Sequence, residues 1–377
     1  MFLAWRELRF ARSRFTLMGG VVALIAVLVV LLSGLSTGLV NDGVSGLQRL
    51  PVTAFAFAGG TKTDSAFSRS IIDLSQVTAW RTRPGVADAA PFGNQLVNGK
   101  TNAGLPVDLA LFGVEPDSFL APKVATGAAL GTTADGIVIS STLKAAGLAI
   151  GDVVTLDRIG TRLTVIGVLP NQHTFGHVDV AYVPLRTWQQ VHAGAGPGDT
   201  ARPQAYQEAT AVALRASPGR TIDLAAGDAA AGTTSMTRDA SFAASPGYTA
   251  ETSTLDLIQV FLYAISALVV GAFFTVWTIQ RSHELAVMRA MGASTRYLLR
   301  DGLSQAFVVL LASTLVGVGI GVAGGGLLSG TSMPFALAAP DITLGAALLV
   351  VLGMVGATAA VVRVTRIDPL AALGGQR

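Results

Sequence analysis

Four stretches without a charged side chain constrain any fold of this chain more than any other feature. They are Phe15–Val40, Leu257–Gln280, Gly302–Pro340 and Ile342–Val362, of 26, 24, 39 and 21 residues. A bilayer's hydrocarbon core takes about 20 apolar residues of helix, so each stretch is long enough to cross. The third is too long for one crossing. Gly324–Gly325–Gly326 and Ser332–Met333–Pro334 interrupt it, so the span ends near Leu328 and a short loop precedes the fourth. Composition agrees: 13% of the 377 residues are charged and 51% are hydrophobic, whereas a soluble domain carries about 25% charged residues. An ordinary cytosolic enzyme and a disordered chain are thereby excluded. The absence of cysteine excludes disulfide scaffolds, thiolate metal sites and thiol catalysis. No basic run interleaves with aromatic residues, so a nucleic-acid partner is not expected. The first stretch has an arginine-rich lead like a secretory signal. Its apolar part is about twice the usual ~7–15 residues and no small-x-small site closes it, so it reads as a retained anchor.

Positive charge near the span ends predicts orientation. Arg6, Arg9, Arg12 and Arg14 precede the first span, Arg281, Arg289, Arg296 and Arg300 separate the second from the third, and Arg363, Arg366 and Arg377 follow the fourth. The loop between the third and fourth has none. The expected fold class is a membrane α-helical protein of four transmembrane helices with an α+β extracellular domain inserted between the first and second. In order, the expected pieces are an amphipathic cytoplasmic helix (1–14), a span (15–40), the extracellular domain (41–254), a span (255–280), a cytoplasmic coupling loop (281–301), a span (302–328), an extracellular loop (329–341), a span (342–362) and a cytoplasmic tail (363–377).

Inside 41–254, apolar and β-branched runs predict strands at Val107–Phe112, Gly136–Ser140, Val153–Leu156, Leu163–Leu169, Val178–Val183 and Ala211–Leu214, in an antiparallel sheet. Ser75 is the expected cap of a short helix through about Thr82. Ala193–Pro203 and the Ala-, Gly-, Ser- and Thr-rich Ala225–Ala250 read as mobile.

The cytoplasmic loop carries good helix formers over Glu284–Met291, stopped by Gly292. Leu285, Met288 and Met291 share one face, and a methionine-bearing face suits an adaptable protein contact. Glu284-Leu-Ala-Val-Met-Arg-Ala-Met-Gly-Ala-Ser294 resembles the loop between the second and third spans of MacB/FtsX-type ABC transporter permeases, and Arg366-Ile-Asp-Pro-Leu-Ala-Ala-Leu-Gly-Gly375 resembles their C-terminal signature. The order of one span, a large domain and three spans is theirs as well. Within the family, Ala272–Gln280, Thr295–Leu299, Ser332–Phe335 and Gly374–Gly375 resemble the haem exporter permeases of Gram-positive bacteria (the HrtB type).

The resemblance implies a non-catalytic membrane subunit without an intrinsic cofactor. ATP and Mg would sit on a separate ABC ATPase subunit, a second copy of the chain would complete a homodimer in the cell membrane, and haem would be the transported substrate. Glu284, Leu285, Met288, Arg289, Met291 and Gly292 are the expected ATPase-coupling residues. The chain itself offers no rival chemistry. Gly93-Asn-Gln-Leu-Val-Asn-Gly99-Lys100-Thr101 has five residues where a phosphate-binding loop needs four. The external segment has no Gly-x-Ser-x-Gly elbow, and no His-Glu-x-x-His occurs in the chain.

Haem needs an axial ligand, an apolar wall and a partner for its propionates. Candidates are His173, Phe175 and His177 in a loop before a strand, Gln259 and Tyr263 on the outer turns of the second span, and Met333 and Phe335 beyond the third. Each has a plain alternative: a loop histidine bonding backbone, an interfacial tyrosine, ordinary helix packing. Glu251, just outside the second span, either bonds substrate or is solvated. The stripes Gly317/Gly321/Gly325 and Gly34/Gly38 allow close helix approach, within one chain or between two. Competing functions within the family are an FtsX-like signalling permease that controls an extracellular cell-wall hydrolase, and export of a peptide, lipid or drug.

Overall fold

The computed structural model describes residues 12–281, 284, 287–288, 291–328, 331 and 333–365. The expected helix over 1–14 and the tail 363–377 therefore lie largely outside the described residues. Contacts divide the chain into two units, one up to Gly38 and from Thr252 onward, the other Leu39–Glu251.

Among the described residues, four helices are long and apolar enough to cross a bilayer: Arg12–Gln48, Tyr248–Gln280, Thr295–Leu328 and Ala339–Thr365. The first, second and fourth outrun their charge-free stretches, and the third begins ahead of its stretch, at Thr295, and ends within it at Leu328. The first has 37 residues, about 55 Å at 1.5 Å per residue, against about 30 Å of hydrocarbon. Charged residues limit what lipid accepts but do not interrupt backbone hydrogen bonding, so helices continue past the apolar window. The third begins where Ser294 Oγ accepts from Tyr297 N at 3.2 Å, a side-chain N-cap.

Phe15, Met18, Val22, Ile25 and Val29 of the first helix meet Val270 and Phe274 of the second, Ala306, Val309 and Leu310 of the third, and Leu349 and Ala357 of the fourth. Water is not the driving force between helices in lipid; close van der Waals contact is. The glycines supply it. A Cβ on Gly317 would lie 2.6 Å from Ala26 Cβ, and one on Gly321 would lie 2.8 Å from Val30 Cβ. This stripe on the third helix is thus used within the chain, against the first.

The inserted unit contains strands β1 (Ala54–Ala58), β2 (Ile72–Asp73), β3 (Val86–Thr101), β4 (Pro106–Val114), β5 (Thr126–Gly127), β6 (Gly136–Ile139), β7 (Val153–Leu156), β8 (Arg162–Val168), β9 (Thr174–Phe175), β10 (Val178–Pro184), β11 (Glu208–Ala209), β12 (Ala211–Ala216) and β13 (Thr233–Thr237). The pairings β3–β4–β10–β6–β8–β7–β3 close on themselves, forming a barrel. The expected purely antiparallel sheet is corrected here: β4 with β10 and β6 with β8 are parallel. Side-chain alternation has period two whichever way the neighbour runs, so strand direction was not readable from it. Val107, Leu109 and Leu111 of β4 fill one core with Ala181 and Val183 of β10. Ala110, Phe112 and Val114 face the other way, into a second core with Val180 and Tyr182 and with Val44 and Leu47 from the end of the first helix.

The second lobe is the sheet β13–β1–β12–β3. Helices Leu74–Arg81 and Leu224–Ala231 accompany it, and Val77 and Trp80 pack with Ala54, Ala56, Val212 and Leu214. The cap of the first of these helices is Asp73, not Ser75. Asp73 Oδ1 accepts from Ser75 N at 2.8 Å, and Gln76 Oε1 accepts from Asp73 N at 3.0 Å, a reciprocal box. The segment Ala225–Ala250, expected to be mobile and partly helical where it leads into the second span, carries regular structure: the helix to Ala231, β13, a turn of helix at Arg238–Ser241 and the start of the second span's helix at Tyr248. Asp228 ties it together: Oδ1 accepts from Thr233 Oγ1 at 2.6 Å, and Oδ2 accepts from Ser235 N at 2.9 Å and Ser235 Oγ at 2.8 Å. Its carboxylate pins the start of β13 to the preceding helix.

Candidate functional site

The segment from His173 to His177 is built by the β9–β10 hairpin. Phe175 pairs with Val178, leaving Gly176 and His177 as a two-residue turn. Their φ values are +58° and +62°, the pattern of a type I′ turn. Histidine tolerates the left-handed region better than most residues but still at some cost. Gly176 N donates to Gly43 O at 2.8 Å, fastening the turn to the end of the first helix.

The His177 ring lies between two carboxylates. Nδ1 is 2.9 Å from Asp42 Oδ2, and Nε2 is 2.9 Å from Glu251 Oε2. Carboxylate oxygens only accept, so each ring nitrogen must carry a proton, and the group is an imidazolium. Partial burial pulls its pKa down, but the hydrogen bonds and charges of Asp42 and Glu251 outweigh that and raise it above the ordinary value of 6.5. Neither nitrogen offers a lone pair to a metal while this clamp holds. Among the described residues, no group of three His, Asp or Glu is placed to bind a metal ion.

His173 has a different environment. It is 8% exposed, its backbone N donates to Ser140 Oγ at 3.0 Å, and Nδ1 lies 3.2 Å from Tyr182 Oη. Burial, aided by the nearby Arg49 charge, pushes its pKa down to about 4, so it is neutral at physiological pH. Phe175 is fully buried, its ring centroid 5.5 Å from Phe67 and 5.9 Å from Phe112. The two histidines thus serve separate partners. Asp42 was missed in the sequence and the role of Glu251 was left open, because 209 residues separate them and nothing in their local spacing points to His177.

The remaining candidates lie in the helical unit. Gln259 and Tyr263 are one turn apart on the second helix, both half-buried. Tyr263 Oη lies beside Gly345 of the fourth helix, 3.2 Å from where a Cβ would stand. On the same helix Leu257, Val260, Phe261 and Leu268 are exposed, an apolar surface. Met333 is half-exposed. Phe335 has a structural role: its ring seats on Gly34 of the first helix and Gly325 of the third, where side chains would overlap it, and Ala336 N donates to Gly34 O at 3.0 Å. Pro334 O occupies the space over Gly38 in the same way. The Gly34/Gly38 stripe is therefore covered by the chain's own loop.

At the other end of the second helix, Arg281 lies over the Trp277 ring at 5.3 Å, and its Nε donates to Glu284 Oε2 at 3.0 Å. Met288 is half-buried and Met291 strongly exposed. Gly292 has φ +97°, Met291 N donates to Val287 O at 3.0 Å, and Ala293 N donates to Met288 O at 2.9 Å. These bonds are a Schellman-type stop that requires glycine at the left-handed position. Leu285 and Arg289 lie outside the described residues.

An inserted mixed-sheet domain between the first and second of four apolar helices is the plan that the resemblance to MacB/FtsX-type ABC transporter permeases implied. Residues 15–231 match the family described as the MacB-like periplasmic core domain, and residues 257–369 match the FtsX-like permease C-terminal family. The chain belongs to the MacB/FtsX-type ABC transporter permeases and is a multi-pass membrane protein. As such it is a non-catalytic subunit, and ATP hydrolysis belongs to an ATPase partner. A Staphylococcus epidermidis protein named as the hemin transport system permease HrtB is 26% identical over 100% of this chain and 99% of its own length. An uncharacterized ABC transporter permease of Mycobacterium tuberculosis is 23% identical over 100% of this chain and 99% of its own. Among solved structures, the periplasmic region of MacB from Actinobacillus actinomycetemcomitans is similar at 15% identity and a TM-score of 0.37, covering 50% of this chain and 91% of that one.

Proposed function

We propose that this permease exports haem from the membrane, as two copies driven by two ATPase subunits, with both termini and the loop 281–301 in the cytoplasm. The observation that carries the cargo is the end-to-end likeness to a relative named for hemin transport. The orientation follows from the arginines, which flank every end assigned to the cytoplasm.

In this reading Gln259, Tyr263, Met333 and Phe335 form the haem-contacting set, with the exposed apolar face of the second helix as the wall for the macrocycle. Tyr263 is the oxygen donor best suited to ligate iron. His173 and Phe175 are committed to the inserted domain's core, and His177 to its clamp, so they support haem passage indirectly. Glu284, Leu285, Met288, Arg289, Met291 and Gly292 dock the ATPase. The exposed Met291 and the glycine stop beside it give that surface an adaptable apolar knob at a defined helix end. ATPase closure then moves the helices and expels haem toward the outer leaflet.

Co-expression with the ATPase in haem-sensitive cells tests the reading. Raised haem tolerance, lost in Tyr263→Phe, is the expected result, together with a haem absorbance band on titrating the purified complex. Unchanged tolerance and no band would remove haem as cargo. A cell-wall phenotype in its place would redirect the assignment to signalling.

A further inference from the structure

The His177 clamp joins three elements that lie far apart in the chain. Asp42 stands near the end of the first helix, His177 in the β9–β10 turn and Glu251 in the first turn of the second helix. The hairpin is fastened to the first helix without the imidazole. Thr174 N donates to Ser45 Oγ at 3.0 Å, Thr174 Oγ1 donates to Asn41 O at 3.0 Å, and Gly176 N donates to Gly43 O at 2.8 Å. These are backbone and hydroxyl groups that hold their protons near neutrality. The bridge onward to Glu251 is of another kind: it runs through the imidazolium Nε2, 2.9 Å from Oε2 and 3.1 Å from Oε1. The ring makes it from a left-handed backbone position, φ +62°, and strain of this sort collects at clamps and switches.

The His177 side chain is 33% exposed, so water reaches it and exchanges its proton. Asp42 and Glu251 are the charged groups that act on it, and Asp179 of β10 repels Asp42 in turn. A neutral imidazole has one N–H for two acceptors. The nitrogen that loses its proton then turns a lone pair toward a carboxylate. Because the hairpin keeps its own bonds to the first helix, the second helix is the partner that withdraws. We propose that His177 is a proton-operated latch between the domain-side ends of the first and second spanning helices, closed while the ring bonds both carboxylates and open once the proton has left for the surrounding water. Tyr248 packs against the domain core beside Phe242 and remains as the pivot when the latch is open.

The chain has no cysteine, so nitroxide labels attach only where cysteines are introduced. Asn41→Cys and Ser253→Cys put one label on each helix beside the clamp, in the full chain in lipid nanodiscs, and spin–spin coupling reads their spacing. Most molecules should show a short, narrow spacing at about pH 6, and that fraction should fall severalfold at about pH 9. His177→Asn suits the left-handed turn and should show the long, broad spacing at both values. Glu251→Gln tests the latch from its other side: an amide donates to a bare ring nitrogen as readily as it accepts from a protonated one, so its spacing should no longer respond to pH. A wild-type spacing indifferent to pH overturns the proposal. So does a full pH response that persists in either variant, or a short spacing in His177→Asn. None of these readouts involves haem or the ATPase, so they stand apart from the cargo assignment.

Discussion

At the scale of single residues, His177 carries the clearest electrostatic commitment in the inserted domain. Its folded pKa is raised, so the stability it contributes is present in full below the ordinary imidazole value of 6.5 and is lost as pH rises through the higher folded value. Loss of the proton leaves one ring nitrogen facing a carboxylate with lone pair against lone pair. The melting temperature of the full chain in lipid nanodiscs should therefore fall as the pH rises above neutrality. His177→Asn should flatten that dependence and cost about 1 kcal/mol near neutral pH, a figure reduced for the clamp's partial exposure. Asparagine keeps the tolerance for the turn's left-handed backbone, so the difference reports the clamp rather than the turn. The histidine was visible in the sequence as a candidate, but for other chemistry. What it bonds to depended on Asp42 and Glu251, which no local pattern ties to it.

Two close approaches test how elements are held together. In the inserted domain the Trp80 ring lies on Gly227, where a Cβ would overlap it, while Trp80 Nε1 donates to Thr233 Oγ1 at 3.1 Å. Gly227→Ala gains helix propensity but forces this buried ring aside, and a net loss of about 1–3 kcal/mol is expected in chemical denaturation of the full chain. In the helical unit, Phe335 seated on Gly34 and Gly325 holds the loop before the fourth helix. Phe335→Ala removes packing, and Gly34→Val intrudes on the ring. Each alone should destabilise by about 1–2 kcal/mol, and the double variant should be better than the sum because the new side chain fills part of the vacated space. Additive losses would show that ring and glycine are not coupled. Strands β4, β6, β7, β8, β10 and β12 were legible from their apolar runs and the helices from uncharged length, whereas β1, β3 and β13 were not foreseen. Which faces would be covered was not, since a glycine stripe looks the same whether it receives a loop, a neighbouring helix or a second chain.

For the whole molecule, the proposed docking makes the loop ending at Gly292 the place where a partner's motion enters. Met291 is exposed at the last turn of that helix. Under the proposed docking, Met291→Asp should weaken co-purification of the ATPase severalfold and lower its cargo-stimulated hydrolysis, while leaving the melting temperature within about 1 °C of wild type, as expected of a surface change. Equal co-purification would place the docking surface elsewhere. The covering of Gly34 and Gly38 by Pro334 and Phe335 also removes the most obvious glycine stripe on the first helix from any contact with a second copy.

Taken alone, the order of residues decided the four spans and the class of machine. Crossing lipid depends on the composition of one continuous stretch, and the family motifs are local. Tertiary structure decided the rest: the closure of the barrel through parallel pairs, the clamp on His177, the burial of His173 and Phe175, and the seat of Phe335. Each of these depends on groups brought together from distant parts of the chain, where packing volume and charge compensation rule and local periodicity carries no record of the partner.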